Sequence, residues 1–500
     1  MIAVSSCGGS PSTPSPPPAE AVSSWLQGSG NDLHNTRWQA SETAIGTSNV
    51  ASLAPKWVAT VAGDVSATPT TDGTSVYFPD WGGYLNALSA ATGAVIWQKS
   101  ISSYTGVTSL SRTSPAIVDD GKALIIGDIA AIDEAPGPGA SILKIDTQTG
   151  GLIWVTTVET HPEAIITANP TVVQNTIVVG VASSEEVAAL SGSYPCCTFR
   201  GSVVALDETT GAVLWKTYMV PDNGGAVGGY SGGSVWGSSP MVDTARGLVY
   251  VGTGNNYTVP GSVSACQLLL PNSPTCIDPN DQIDAVVALD LLTGAVRWTF
   301  QSQFSDNSTD GCITGVNCEL PVGPDHDFAQ APIFVDNSNH AVVFAGRKSG
   351  TGYGLNPDTG DLLWSTSIGE STQWGSASDG QRIYVASVRS PAGWSALDPG
   401  TGNILWTTND PGGSGNSAND IGPLTVANGV LYAGSTNTNG PTMFGLDTSN
   451  GNILLSFQSG SSVAGGAAVA NGTVYWGSGY SRVSVFTCNK KIFALTLNGK

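Results

Sequence analysis

The chain has 500 residues, of which 11% are charged and 40% hydrophobic, with 63 glycines, 29 prolines and 14 tryptophans. Its formal charge is −20 and it contains no basic run, which excludes a nucleic-acid surface, because phosphates demand clustered positive charge. A glycine- and tryptophan-rich chain with so few charges predicts many short strands joined by tight turns, not long helices.

The first residues read MIAVSSCGGSPSTPSPPPAE, and Val4-Ser5-Ser6-Cys7 resembles a bacterial lipobox whose cysteine becomes lipidated. Only three residues precede the box, so the apolar signal core is missing: either the start codon is placed too late or Cys7 is incidental. Ser10 to Glu20 follow as an extended Pro-rich spacer. Residues 1–22 are read as a truncated lipoprotein-like signal and linker, and 23–500 as one domain. The expectation is an exported protein in the periplasm or at the cell surface, anchored through Cys7. No other stretch is long and apolar enough to span a bilayer.

From residue 86 onward one motif recurs: NALSAATGAVIW, LKIDTQTGGLIW, VALDETTGAVLW, VALDLLTGAVRW, YGLNPDTGDLLW, SALDPGTGNILW and FGLDTSNGNILL. Its glycines are Gly93, Gly150, Gly211, Gly294, Gly360, Gly402 and Gly451. Trp97, Trp154, Trp215, Trp298, Trp364 and Trp406 follow at a fixed distance, with Leu455 in the seventh copy. An apolar strand, a Thr-Gly turn and a second apolar strand make a hairpin. Segments between copies, such as KALIIGD and GLVYVGTG, supply two further strands, and four strands per repeat make a propeller blade. The C-terminal IFALTLNGK is the first half of an eighth copy, and LAPKWVATV, with Trp57, is its missing half. The fold is therefore all-β: an eight-bladed β-propeller closed by an N-terminal strand that completes the last blade. The tryptophans are expected to pack between blades. The longest excursions lie between Gly211 and Gly360, and loops elaborated on one sector of a ring usually build the site.

The eight cysteines fit an oxidising compartment better than a zinc site, because no CxxC pair is present. Cys266/Cys276 and Cys312/Cys318 predict short disulfide loops, Cys196 and Cys197 a vicinal disulfide, and Cys488 a free thiol. Without CxxCH, no covalently attached c-type haem lies in this chain.

The stretch GPDHDFAQAP gathers Asp325, His326 and Asp327 just before an apolar strand. As residues alone, the aspartates read as turn caps. The chain, however, resembles the quinoprotein alcohol dehydrogenases from GSGNDLHNTRWQ and NVASLAPKW to its end. It resembles in particular the polyvinyl-alcohol-dehydrogenase-like proteins, through CCTFRGSVVALD and GSVWGSSPMVDTARGLVYVGTGNNY. That resemblance implies a cavity on the propeller axis holding pyrroloquinoline quinone (PQQ) and a cation. It implies Glu185 as a cation ligand, with Glu186 as a possible substitute, and Asn255 of GTGN as a second. Asp327 of Asp-Phe-Ala is implied as catalytic base and third ligand, with Asp325 in support. Trp236 matches the residue beneath the quinone, while Arg112, Thr167, Lys348 and Trp374 match cofactor contacts. Ala329 stands where lanthanide-using relatives carry a second aspartate, so calcium is the expected ion.

Calcium takes hard oxygen ligands, and a positioned carboxylate suits removal of an alcohol proton. Cys196 and Cys197 are expected near the cofactor, although methanol-type relatives carry their cysteine pair one repeat earlier. The glutamate those relatives contribute from the first blade is not evident in DVSATP. The implied activity is PQQ- and calcium-dependent oxidation of an alcohol, secondary or polymeric such as polyvinyl alcohol, with electrons passing to an external acceptor, a cytochrome c. Two alternatives stand beside it: a propeller scaffold lipoprotein of the outer-membrane assembly type, and a degenerate propeller that binds PQQ weakly and transfers nothing.

Overall fold

Where the repeat reads Asp-x-x-Thr-Gly, as in four of its seven copies, a defined set of bonds closes the hairpin. In the third copy Asp207 Oδ1 accepts from the Thr210 N–H at 2.8 Å and its hydroxyl at 2.7 Å. Gly211 then turns the chain with φ +71°, a left-handed conformation that glycine adopts without a steric cost. The computed structural model describes residues 24–28, 30–131, 136–237, 239–337, 340–370, 373–388, 393–412, 420–482 and 486–500. Cys7 and the expected signal and linker lie outside them. Among the described residues no helix is long and apolar enough to cross a membrane.

Eight blades result, each built on four antiparallel strands; the third and the seventh gain a fifth short strand, and a separate two-stranded sheet, Ser231–Gly232 with Asn256–Thr258, lies beside them. The first blade runs Thr70–Thr71, Ser75–Asp80, Tyr84–Ser89 and Val95–Ser100 from the axis outwards. The innermost strands of the next seven are Ala116–Val118, Thr171–Val173, Met241–Asp243, Ile333–Asp336, Ala377–Ser378, Thr425–Ala427 and Ala467–Ala470. Each contacts the next, and the last contacts the first, so the ring is closed. As expected, Leu53–Thr60 completes the eighth blade: it pairs antiparallel with Lys491–Leu497, from Leu53 opposite Leu497 to Thr60 opposite Lys491.

The repeat tryptophans hold blade to blade. A Cβ built on Gly150 would lie 2.8 Å from Trp97 Cε3, so the glycine leaves room for the preceding blade's indole. Trp97 Nε1 donates to the Thr147 carbonyl at 2.7 Å, and Trp154, Trp215, Trp298, Trp364 and Trp406 repeat the bond one blade further on each time. At the junction where Leu455 replaces tryptophan, Val50 and Leu53 pack into the same cluster.

An element that the repeat reading did not foresee lies at the N-terminus. Residues 24–28 and 30–39 follow the ring and bond the innermost strand of every blade in order. Trp25 exchanges two backbone bonds with Thr71; Leu26 accepts from Ile117; and Gln27 bonds Val172 through its side chain. Leu33, His34, Thr36 and Arg37 accept from Val242, Phe334, Ser378 and Val426. Gln39 Nε2 reaches both the Val469 carbonyl and the Ser24 carbonyl at 2.8 Å, closing the circlet on itself. Edge strands otherwise leave such donors and acceptors unpaired.

Candidate active site

The loops that enter the innermost strands, and those that leave the second strands, share one face of the ring. They enclose a cavity of about 440 Å³, within the range of small-molecule sites. Thr167, Trp236, Asp327, Trp374 and Arg112 come from loops entering blades three, four, five, six and two. Glu186 and Lys348 follow the second strands of blades three and five. Arg112, Thr167, Trp236 and Trp374 also line a smaller cavity of about 30 Å³, so they form a partition between the two. The Arg112 guanidinium lies 4.6 Å from the Trp374 ring centroid, a cation–π contact.

Asp327 is the fixed point of the polar wall. Its side chain is buried; Oδ1 accepts from the Asn255 N–H at 2.9 Å, and Oδ2 accepts from Lys348 Nζ at 2.9 Å and Trp236 Nε1 at 3.1 Å. Lys348 also donates to Asp325 Oδ1 at 2.7 Å. The two aspartates thus share one lysine, as expected of acids facing the same way. Their route is different: Asp325 has φ +57° and is not part of an extended run. Its loop is pinned by Asp306, whose carboxylate accepts from the Asp325 N–H at 3.2 Å and the His326 N–H at 2.7 Å.

Charge in the cavity is unbalanced, since the carboxylates of Glu186, Asp310, Asp325 and Asp327 face only Lys348 and Arg112. Burial lifts the Glu186 carboxyl well above the usual range, and Lys348 only partly offsets this because Asp327, Asp325 and Asp310 add repulsion. Burial and Asp327 likewise push Asp325 up to about 6, against Lys348. Burial opposes the charge on Lys348, but Asp327, Asp325 and Glu186 outweigh it and raise its pKa. Like charges held this close favour either protonation or a bound cation.

Glu185 and the cysteine pair do not stand where the resemblance placed them. Glu185 is fully buried and turned into the blade-three loop, where Oε1 accepts from the Thr198 N–H at 2.8 Å and the Tyr194 hydroxyl at 3.0 Å. Its Oε2 accepts from the Phe199 N–H at 2.9 Å. In a short helix, Glu185–Ala188, successive side chains diverge, so Glu186 faces the cavity instead. Cys196 and Cys197 are bonded to each other but pack in the hydrophobic cluster around Phe199, off the cavity wall. They brace the loop whose amides hold Glu185. Cys266–Cys276 and Cys312–Cys318 are bonded as expected, and Cys488 is free and exposed.

Asn255 touches the site from behind: its Nδ2 donates to Asn256 O at 2.8 Å, Ser308 O at 2.7 Å and Ser308 Oγ at 3.1 Å. That leaves its Oδ1 for a further partner. Asp310, Tyr257, Ser183, Ser234 and Gln373 also line the cavity. Sequence reasoning passed over them, although Asp310 lies beside Cys312 in the excursion already marked as site-building.

The family described as "Glucose/ethanol/alcohol dehydrogenase, beta-propeller domain" matches residues 26–371, which carry the whole of this cavity except Gln373 and Trp374. The chain belongs to this dehydrogenase propeller family. A second family, "Outer membrane protein assembly factor BamB", matches residues 348–490. Polyvinylalcohol dehydrogenases of Pseudomonas sp and of Sphingopyxis sp. (strain 113P3) are each 31% identical to the chain, over 72% and 76% of its length. These matches cover 54% and 57% of the two relatives, so the chain spans a little over half the length of the curated relatives it matches. Among solved structures, quinohemoprotein alcohol dehydrogenase from Comamonas testosteroni is similar with a TM-score of 0.69 and 16% identity, covering 95% of this chain and 81% of that one. That similarity establishes the shared propeller fold of this dehydrogenase family member.

Proposed function

We propose that the protein oxidises an alcohol, with PQQ as cofactor and calcium as the accompanying ion. The observation that carries this reading is Asp327, held through both oxygens by Asn255, Lys348 and Trp236 at a cavity partitioned by two tryptophans.

The residues present fit the cofactor. Trp236 and Trp374 offer flat apolar surface to a fused ring system, and Thr167, Arg112 and Lys348 offer a hydroxyl and cations to its carboxylates. Glu186, Asp327 and Asn255 Oδ1 offer hard oxygens to calcium. Among the described residues no three His, Cys, Asp or Glu side chains are placed to hold an ion by themselves, so the cofactor's own oxygens have to complete the shell. Bound there, the quinone would supply a two-electron acceptor and the ion a Lewis acid.

Asp327 then accepts the hydroxyl proton of the alcohol at a carboxylate oxygen. Lys348 and the Asn255 N–H keep that carboxylate from rotating, so it needs no reorganisation before proton transfer. Trp236 and Trp374 separate the reacting space from the smaller cavity, limiting water access.

The 31% identity to polyvinylalcohol dehydrogenases supports a secondary, polymeric alcohol such as polyvinyl alcohol as substrate. Electrons pass to an external acceptor of the cytochrome c class. The disulfides support an exported protein in the periplasm or on the cell surface, and Cys7 is its proposed lipid anchor. The match of residues 348–490 to an outer-membrane assembly factor favours a scaffold as second reading. A scaffold, however, has no use for the acid-lined cavity. Dye reduction by the PQQ- and Ca2+-loaded protein, with polyvinyl alcohol and with small secondary alcohols, tests the activity. Turnover is expected; a loaded protein that reduces no dye with any alcohol refutes it.

A further inference from the structure

The circlet also carries a buried cation. Arg37 is 0% exposed. Its guanidinium donates to Asn35 Oδ1 at 3.3 Å and to the Trp374 carbonyl at 3.2 Å. Burial lowers its pKa to about 9, with Asp32 opposing. Burying a cation is costly unless its bonds are specific.

The residue it holds is unusual in its own right. Trp374 has φ +54°, a left-handed conformation that is strained for a bulky side chain. Its N–H donates to Ala329 O at 3.1 Å, two residues beyond Asp327, while Arg37 holds its carbonyl. The next residue is Gly375, where a Cβ would lie 2.3 Å from Arg37 Nη2, so the guanidinium occupies the space a side chain would need. Strained peptides persist where surrounding structure over-determines them. Here Ala329 and Arg37 do so from two sides, and the indole so presented stacks on Arg112 and meets Tyr480 edge-on at 5.4 Å.

We propose that Arg37 is a positioning residue for the cofactor cavity: from the circlet it clamps the left-handed Trp374 peptide, and thereby sets the indole that walls the PQQ site. The cofactor arm of this inference rests on the proposed function; the conformational arm does not. The circlet thus has two duties, closing the ring and shaping its site.

The test uses the full chain. The contribution of Trp374 to near-ultraviolet circular dichroism is defined in the apoprotein from Trp374→Phe, and PQQ affinity is measured by tryptophan quenching well below the melting transition. Arg37→Met should erase the Trp374 signal and weaken PQQ about tenfold or more, as loss of a charged hydrogen bond to the wall residue requires. Arg37→Lys should restore part of both. Gln39→Ala, which opens the circlet without touching Trp374, should lower the melting temperature and leave both readouts unchanged. If Arg37→Met behaves like Gln39→Ala, with Trp374 signal and PQQ affinity intact, the inference is overturned. Should Arg37→Met not fold, Gly375→Ala decides, since its methyl displaces the guanidinium; an unchanged Trp374 signal there overturns it equally. A wild-type protein that binds no PQQ sinks the cofactor reading, while the dichroism arm still settles the role of Arg37.

Discussion

Adjacent glutamates with opposite surroundings give opposite predictions. Glu185 accepts three bonds, from two backbone amides and a tyrosine hydroxyl, in a fully buried position. Glu185→Gln turns one oxygen into a donor facing another donor. It loses one charge-assisted bond and leaves an amide or hydroxyl unpaired, together about 3–5 kcal/mol. A domain of this size gains about 1 kcal/mol per degree of unfolding entropy at its transition, so the melting temperature should drop by about 3–5 °C. Among the described residues no donor bonds the Glu186 carboxylate, whose pKa is raised mainly by burial. Glu186→Gln therefore removes a destabilising charge, and the apoprotein should melt no lower than wild type. Calcium should stabilise the wild type and Glu185→Gln by mass action, but not Glu186→Gln. Differential scanning fluorimetry of the three proteins with and without calcium and PQQ reads all of this. Calcium-stabilised Glu186→Gln beside a folded, calcium-blind Glu185→Gln would refute the placement of the two side chains.

Other expectations follow from the same geometry. Asp327→Asn should keep the fold and bind PQQ, yet lose dye reduction by roughly 10²–10⁴-fold, the span of general-base catalysis; Asp325→Asn should cost far less, and the reverse order of effects contradicts the assignment. Asp128 and Asp281 are held up at about 6 and about 7 by burial. Both take up protons on folding, so their stabilising share is complete below about pH 4 and is lost as pH rises through 6 to 7. Melting temperatures of the apoprotein should fall from pH 5 to pH 8 (roughly the window of those two groups), and Asp281→Asn should flatten the slope; a rising curve contradicts the burial argument. Peptide mapping without reductant should find Cys266–Cys276, Cys312–Cys318 and Cys196–Cys197 linked, with Cys488 alkylated. A link from Cys196 to a distant cysteine is the contrary result.

The blades were legible because each hairpin declares itself locally, by a glycine turn that in six of seven copies is Thr-Gly followed by tryptophan, and because half a motif at each terminus implies closure through Trp57. Asp327, Lys348, Trp236, Trp374, Arg112 and Thr167 were named together from the sequence, and all six line one cavity. What failed was direction within a turn. Glu185 and Glu186 differ by one step on a short helix, and only the amides of Thr198 and Phe199 decide which of them faces inward. The cysteine pair was displaced for the same reason: bracing that loop and covering the cavity are equally compatible with its spacing from Glu185. The circlet escaped notice because its pairing partners are spread over the chain from Thr71 to Val469, and its GSGNDLHNTRWQ stretch has no strand periodicity. Arg37, bonded to Trp374 from 337 residues away, escaped notice for the same reason.

The central claim, that this cavity takes PQQ through a calcium ion, is tested most directly by titrating the purified apoprotein with PQQ and following the cofactor's absorbance, with calcium and then with chelator. Saturable binding of about one PQQ per chain is expected, calcium-dependent and abolished in Glu186→Gln but preserved in Glu185→Gln. Absorbance that stays identical to free PQQ under every condition, in a protein whose disulfides and melting transition are intact, would contradict it.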